Sequence, residues 1–306
     1  MLHFLRRRLT VAILVALTVL TLSFMLTRLS GDLAISIAGP NASQEDIELI
    51  RRAYGLDRPL WVQYFDWLWR ALQGDFGDSY FFKTRVARLI MERMPITMTL
   101  GLCGLFIALC VALPLGILAA VKENTWVDRS VLMVALIGQA MPSFWLGLIL
   151  MVVLGLNLGW LPISGTGSWE HYVMPSIVLS FSAIPSLMRL TRSGMIEALA
   201  SDYIRTARAK GLRESAVVYR HALRIAILPV VSYLGPLAAH LLTGSIVVET
   251  VFHIPGAGGF FVHSILNRDG FLLGGMVIVY CALLVFFNLL VDFAYGLLDR
   301  RIKSHA

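Results

Sequence analysis

Hydrophobic and polar positions fall along this chain in long blocks rather than in short periods. Charged residues vanish from 9–27, 95–121, 130–169, 171–188, 225–248 and 270–291. A bilayer core of ~30 Å is crossed by ~20 apolar helical residues, so each block can hold one spanning helix. The 130–169 block is long, but its tail "LNLGWLPISGTGSW" is broken by Gly and Pro, and it reads as one helix ending near Trp160. The 171–188 block is short, and "RLTRSGM" continues its helix into the aqueous phase. The expected spans are 9–27, 96–121, 131–160, 172–190, 225–248 and 271–298, six in all, within a single membrane domain over 1–306. A large loop at 28–95 and a second at 189–224 lie outside the bilayer core.

The polar loops have their own pattern. Ser43 ahead of "QEDIELIRRAYG", with Asp46 three residues on, predicts a capped helix that Gly55 stops. Pro59 opens "PLWVQYFDWLWRALQG", where Trp61, Tyr64, Phe65, Leu68 and Leu72 keep helical spacing and Gly74 closes. Its aromatic residues suit the membrane–water boundary. Pro114, Pro142, Pro175, Pro185, Pro229 and Pro236 are expected to interrupt or kink the spans. Around Pro142 stand Gln139 and Ser143; Ser176, Ser180 and Ser182 recur in the fourth span; Ser232, Tyr233, His240, Thr243 and Ser245 populate the fifth. Hydroxyls in spans usually join helices, but Gln139, Ser143, Ser180, Ser232 and Ser245 are the candidates to line a polar passage.

Charge orients the blocks. The chain has 306 residues, 58% hydrophobic and only 15% charged, with net charge +7, far too apolar for an ordinary soluble domain. Arg6, Arg7 and Arg8 precede the first span, and Arg300, Arg301 and Lys303 follow the last. The 189–224 loop holds eight basic residues against three acidic ones. Positive charge in short loops marks the cytoplasmic side, so both termini and this loop are expected inside. The 28–95 loop balances nine basic with nine acidic residues between Arg28 and Arg93, and it is long enough to cross regardless of charge. The basic N-terminus with its apolar run resembles a signal peptide, but the run is too long and no A-x-A site follows closely. It is read as a retained span.

Little catalytic chemistry remains. No lysine completes a G-x-x-x-x-G-K-[ST] loop. "IPGAGGFF" has the glycines of a phosphate loop without a βαβ context, and is read as a tight turn re-entering the bundle. His240 is read as a hydrogen-bonded core residue, and no metal-ligand spacing is present. Cys103, Cys110 and Cys281 fall inside apolar spans, with no disulfide framework. Asp292 is the one acid inside an expected span, thin support for a proton-coupled carrier. A membrane-embedded hydrolase would have His240 alone to work with. A stand-alone channel or secondary carrier would need selectivity or coupling charges that the spans do not offer.

The basic loop itself reads as two short helices around Gly211. Leu199, Tyr203 and Ala207 fall on one stripe, with Asp202, Arg205 and Arg208 beside it. Both ends are tethered to spans, which argues against a DNA reader and for a knob that docks a partner, with anionic lipid as a further contact.

Here the residues acquire a likeness. "YIRTARAKGL....V...H.L....LP" resembles the cytoplasmic coupling loop of permease subunits in binding-protein-dependent ABC importers, of the dipeptide/oligopeptide/nickel class. "YGLDRPLWVQYFDWL", "GDFGDSY", "MPSFWLGLIL", "LGWLPISG", "VFHIPGAGGFFVHSILNRD" and "NLLVDFAYGLLDRR" resemble, in order, further segments of that class over nearly the whole chain. Ile225, Arg300 and the Arg205–Thr206–Ala207 run depart from its commonest residues. The resemblance implies an all-α membrane protein with six transmembrane helices, a type I ABC importer permease fold with a cytoplasmic coupling helix. It implies a bacterial inner-membrane, multi-pass subunit forming half of a pathway for peptides, with nickel or a nickel chelate as the alternative cargo. Implied partners are a second homologous permease, two cytoplasmic ATPase subunits that use ATP and Mg, and an extracytoplasmic substrate-binding protein. Neither an enzymatic activity nor a cofactor of this chain's own is implied, and no nucleic acid. The coupling residues so implied are Tyr203, Ala207, Arg208, Ala209, Lys210, Gly211, Leu212 and His221.

Overall fold

The computed structural model describes residues 2–29, 32–39 and 41–298. The helices in chain order are α1 (Leu2–Leu29), α2 (Leu33–Ala38), α3 (Gln44–Ala53), α4 (Leu60–Leu72), α5 (Val86–Val121), α6 (Trp126–Ala140), α7 (Ser143–Leu150), α8 (Glu170–Leu199), α9 (Asp202–Ala209), α10 (Glu214–Ala216), α11 (Leu223–Ala226), α12 (Leu228–Val251), α13 (Ala257–Leu266) and α14 (Gly270–Leu298). π-helical stretches at Met151–Asn157 and Val217–Ala222 follow α7 and α10. A two-residue antiparallel ribbon, Asp78 opposite Arg85 and Ser79 opposite Thr84, precedes α5. The C-terminal Arg300, Arg301 and Lys303 lie outside the described residues.

Among the described residues four helices are long and apolar enough to cross a membrane: α5, α8, α12, and α14 over Gly270–Ala294. The first apolar block is also helical, with Ile13–Met25 as the apolar stretch of α1. The 131–160 block differs from its reading as one helix. It is a broken pair, Trp126–Ala140 and Ser143–Asn157, bent by 98°. The cause is local: Pro142 has no N–H to donate and disfavours helical backbone at the residue before it. Met141 is accordingly extended, with ψ 124°, and Pro142 follows at ψ 133°. The other expected interruptions are milder. Pro114 lies within α5, Pro175 and Pro185 within α8 and Pro236 within α12, all continuous. Pro229 occupies the first turn of α12, where a missing donor costs nothing.

The described residues group into two compact units. The first comprises Thr97–Pro255 with Phe286–Leu298. Small residues let its helices approach at backbone distance. A Cβ on Gly116 would stand 2.8 Å from the carbonyl of Met188, and one on Gly194 would stand 2.6 Å from that of Ala226. The Thr97 hydroxyl donates to Glu249 Oε1 at 2.6 Å, and both residues are buried.

The second unit comprises Leu2–Ile96 with Gly256–Val285. In it α3 begins with the expected capping box, Ser43 and Asp46 bonding each other's backbone N–H, and Gly55 and Gly74 adopt positive φ. α4 turns Tyr64 and Trp67 onto Phe24 of α1, with ring centroids 5.3 and 5.7 Å away. Trp61, Phe65, Trp69 and Leu72 form its exposed face. The glycines of "IPGAGGFF" do not make a tight turn. Gly256 is the N-cap of α13, Gly258 and Gly259 are helical, and none has positive φ. Asp269 is fully buried; it accepts the Leu272 amide at 3.1 Å and the Ser79 hydroxyl at 2.5 Å. The Tyr80 hydroxyl donates to the Asn267 carbonyl. Burial, and then the nearby Asp269 charge, pushes the Tyr80 phenol up to about 12.

Candidate functional site

The basic loop folds into a compact knob. α8 stops at Leu199, and Ser201 takes the extended backbone of an N-cap (φ −74°, ψ 154°) before α9 begins. α9 ends in a Schellman motif: the Gly211 amide donates to the Arg208 carbonyl at 2.9 Å, and the Leu212 amide to Ala207 at 3.4 Å. Closing both bonds needs a left-handed residue, and Gly211 supplies it at φ +77°. The chain then runs through α10 and the π-helical Val217–Ala222 into α11 and α12.

An apolar cluster anchors the knob. Ile204 and Ala207 of α9 are buried with Met195 and Ala198 of α8, Ile117 and Ala120 of α5, and Val217, Val218, Ala222 and Ala226. The cluster thus packs α9 against α5, α8 and the 217–226 segment that leads into α12. The outer face of the knob is polar. Arg205 pairs with Asp202 at 3.1 Å, and Arg208 holds Glu214 through Nη2 at 2.7 Å and Nε at 3.2 Å. The Arg208 hydrogen bond keeps the Glu214 carboxyl below its usual pKa and raises that of Arg208. Both side chains are well exposed, so the pair orients the turn rather than adding much stability.

The eight residues singled out from the sequence separate here by role. Tyr203, Arg208, Ala209, Lys210, Gly211 and Leu212 are exposed on the knob. Ala207 is buried and forms part of its root, while His221 is half-buried in the π-helical stretch. The five pathway candidates separate too. Gln139 is exposed and accepts from Arg189 Nη1 at 2.8 Å. Ser143 opens α7, half-buried, and Ser232 is exposed on α12. Ser180 and Ser245 differ from these in exposure. Both are buried and donate to carbonyls three residues back on their own helices, at 2.7 Å each. Both are covered within this chain, Ser180 at the edge of a cavity lined by α5, α6 and α8. His240, expected in the core, is exposed.

One structural element escaped the sequence reading. Asp128, in the first turn of α6, takes both Nε and Nη2 of Arg192 on α8, at 2.6 and 2.7 Å, with Asp128 almost wholly buried. This bidentate pair fixes the helix after the 122–129 turn to the helix that leads into the knob. An acid among basic residues was the available signal, but a partner 64 positions away is invisible to local spacing.

Two family models cover the chain. Residues 112–304 match the binding-protein-dependent transport system inner membrane component, and residues 1–101 match the N-terminal part of the same type of membrane component. The chain is 39% identical to the oligopeptide transport system permease protein AppB of Bacillus subtilis (strain 168), over 97% of this chain and 98% of that one. It is 36% identical to the dipeptide transport system permease protein DppB of Lactococcus lactis subsp. cremoris (strain MG1363), over 99% and 100%. It is 40% identical to the glutathione transport system permease protein GsiC of Salmonella choleraesuis (strain SC-B67), over 99% of both chains. Among solved structures, the inward-facing MetNI methionine ABC transporter superposes with a TM-score of 0.60 at 17% identity, over 69% of this chain and 97% of that one, a likeness of fold. On these matches the chain belongs to the binding-protein-dependent transport system inner membrane components, as a permease subunit of the ABC importer class.

Proposed function

We propose that this chain forms half of the translocation pathway of a peptide importer and couples it to separate ATPase subunits through the knob around Gly211. The observation that carries the coupling role is the division within α9. Exposed Tyr203 and the 208–212 turn offer a docking surface, while Ile204 and Ala207 are rooted in a cluster shared with two long helices, α5 and α8, and with the 217–226 segment that leads into α12. A force applied outside thus reaches the spans. Peptide cargo is supported by near-full-length similarity to permeases named for oligopeptide, dipeptide and glutathione transport. The working assembly is this subunit, a second homologous permease, two ATPases and a delivering binding protein on the outer side.

The proposed topology has six crossings, the 98° broken pair counting as one and α1 as another. Both termini, the 122–129 turn and the knob face the cytoplasm; 28–95 and 249–269 face outward. The basic residues of the knob support this orientation. Single cysteines at Gln44 and Arg268, both exposed, should react with an impermeant maleimide from outside, and one at Lys210 only from inside. Reaction of Lys210→Cys from outside would overturn the topology. For function, the reconstituted complex should take up labelled di- and tripeptides only with ATP and the loaded binding protein. Solute movement by this chain alone in liposomes would instead make it a channel or carrier, and uptake of nickel without peptide would reassign the cargo.

A further inference from the structure

α8 carries a polar stripe that the fold leaves open. Ser182, Ser186, Arg189 and Ser193 recur three or four positions apart, which sets them on one helix face. Three of the four are exposed and Ser186 is half-buried, whereas Leu187, Met188, Thr191 and Met195 of the same helix are buried. Ser186, Arg189 and Ser193 line an open depression of about 510 Å³, bordered also by Leu132 of α6, Arg192 of α8 and Tyr233 of α12.

The two arginines in this cavity are in different electrostatic states. Arg192 is neutralised by its bidentate bond to Asp128. Arg189 spends one donor on the neutral amide of Gln139 and makes no ion pair among the described residues. Its positive charge is therefore uncompensated in a space rimmed by hydroxyls. A guanidinium fork matches the planar geometry of a carboxylate, and serine and tyrosine hydroxyls can donate to the same oxygens.

We propose that this cavity is a carboxylate-binding site on the cargo's route, with Arg189 receiving the C-terminal carboxylate of a peptide and Ser186 and Tyr233 supplying further donors, the Ser193 hydroxyl being spent on the Leu190 carbonyl at 3.2 Å. The assignment rests on the peptide-permease reading above. It gives the passage one attractive point for an anionic chain end that its apolar helices would otherwise repel. A single exposed guanidinium in a wet cavity also holds weakly, and a site on a conduction route has to release what it admits.

The test uses the complete importer reconstituted in vesicles, with trialanine and trialanine amide as probes. Saturation-transfer NMR on the wild-type complex, without binding protein, should show trialanine bound about tenfold more tightly than the amide, equivalent to about 1.4 kcal/mol. Arg189→Gln should bring trialanine down to the level of the amide, and Arg189→Lys should restore part of the difference. Trialanine uptake driven by saturating loaded binding protein should fall about tenfold in Arg189→Gln. Equal binding of the two probes by the wild-type complex overturns the site, and it does so even where Arg189→Gln fails to assemble. A defect present in vesicles containing phosphatidylglycerol and absent in phosphatidylcholine alone assigns Arg189 to lipid phosphate and also overturns it. If the wild-type complex takes up no trialanine at all, the peptide-permease reading falls and this assignment with it. Uptake that is normal in wild type and unchanged in Arg189→Gln removes the assignment alone.

Discussion

Replacing Gly211 by valine isolates the role of the knob, because the substitution meets no neighbour. No atom lies within 4 Å of where a Cβ at Gly211 would sit, so steric packing contributes nothing. What remains is the backbone. At φ +77° an L-residue crowds its own carbonyl, costing roughly 1–2 kcal/mol, and β-branching places valine at the upper end. That energy lowers the closed-to-open ratio of the Schellman turn by a factor of about 5–30, and apparent affinity for a partner that recognises the turn falls by up to the same factor. Ile204 and Ala207 should keep α9 anchored, so the complex should insert and still bind its loaded delivery protein. ATPase subunits should copurify poorly, or hydrolyse ATP without responding to cargo. Gly211→Asn is the control, since asparagine tolerates the left-handed region, and it should behave nearly as wild type. ATPase activity with and without loaded binding protein, alongside copurification, provides the measurement. Normal stimulation in Gly211→Val would mean that this turn does not couple the ATPase to the spans.

Other consequences follow from the same contacts. Asp128→Asn leaves the Arg192 charge without its bidentate partner and should cost about 2–3 kcal/mol, seen as a lowered melting temperature in detergent, whereas Asp202→Asn, with an exposed partner, should cost less than about 1 kcal/mol. Gly194→Leu must displace the Ala226 carbonyl, which lies 2.6 Å from the added Cβ, and overpacking of about 1–3 kcal/mol should reduce both assembly and transport; normal thermal stability would refute that close approach. The folded pKa of Glu214 is held below its usual value near 4.5 by Arg208, so the pair's contribution is present above that value and lost as pH falls through the folded pKa. A spin label at Ser215 should accordingly gain mobility only in that acidic range, and Glu214→Gln should be mobile at every pH. Ser232→Phe should impair transport with assembly intact, while Ser245→Ala should leave transport unchanged because its hydroxyl serves only its own helix.

The chain's own pattern determined a great deal. Apolar blocks bounded by charge specify which segments are long hydrophobic helices, because bilayer thickness and helical rise depend on no tertiary partner. The capping box at Ser43 and the turn at Gly211 were legible for the same reason: each is closed by bonds within a few residues. What the tertiary structure alone decided lies wherever the governing partner is distant. Ser180 and Ser245 look like channel hydroxyls in sequence, but which face of a spanning helix is covered depends on its neighbours. His240 reads as core by the same local reasoning and stands exposed. Pro142 and Pro185 are alike on paper, yet only the first breaks its helix, since the freed groups beside a proline can be satisfied by whatever packs there. The pairing of Asp128 with Arg192, and the absence of any such partner for Arg189 among the described residues, bring together charges far apart in the chain. Electrostatic compensation depends on distance in space, and only the folded helices set that distance.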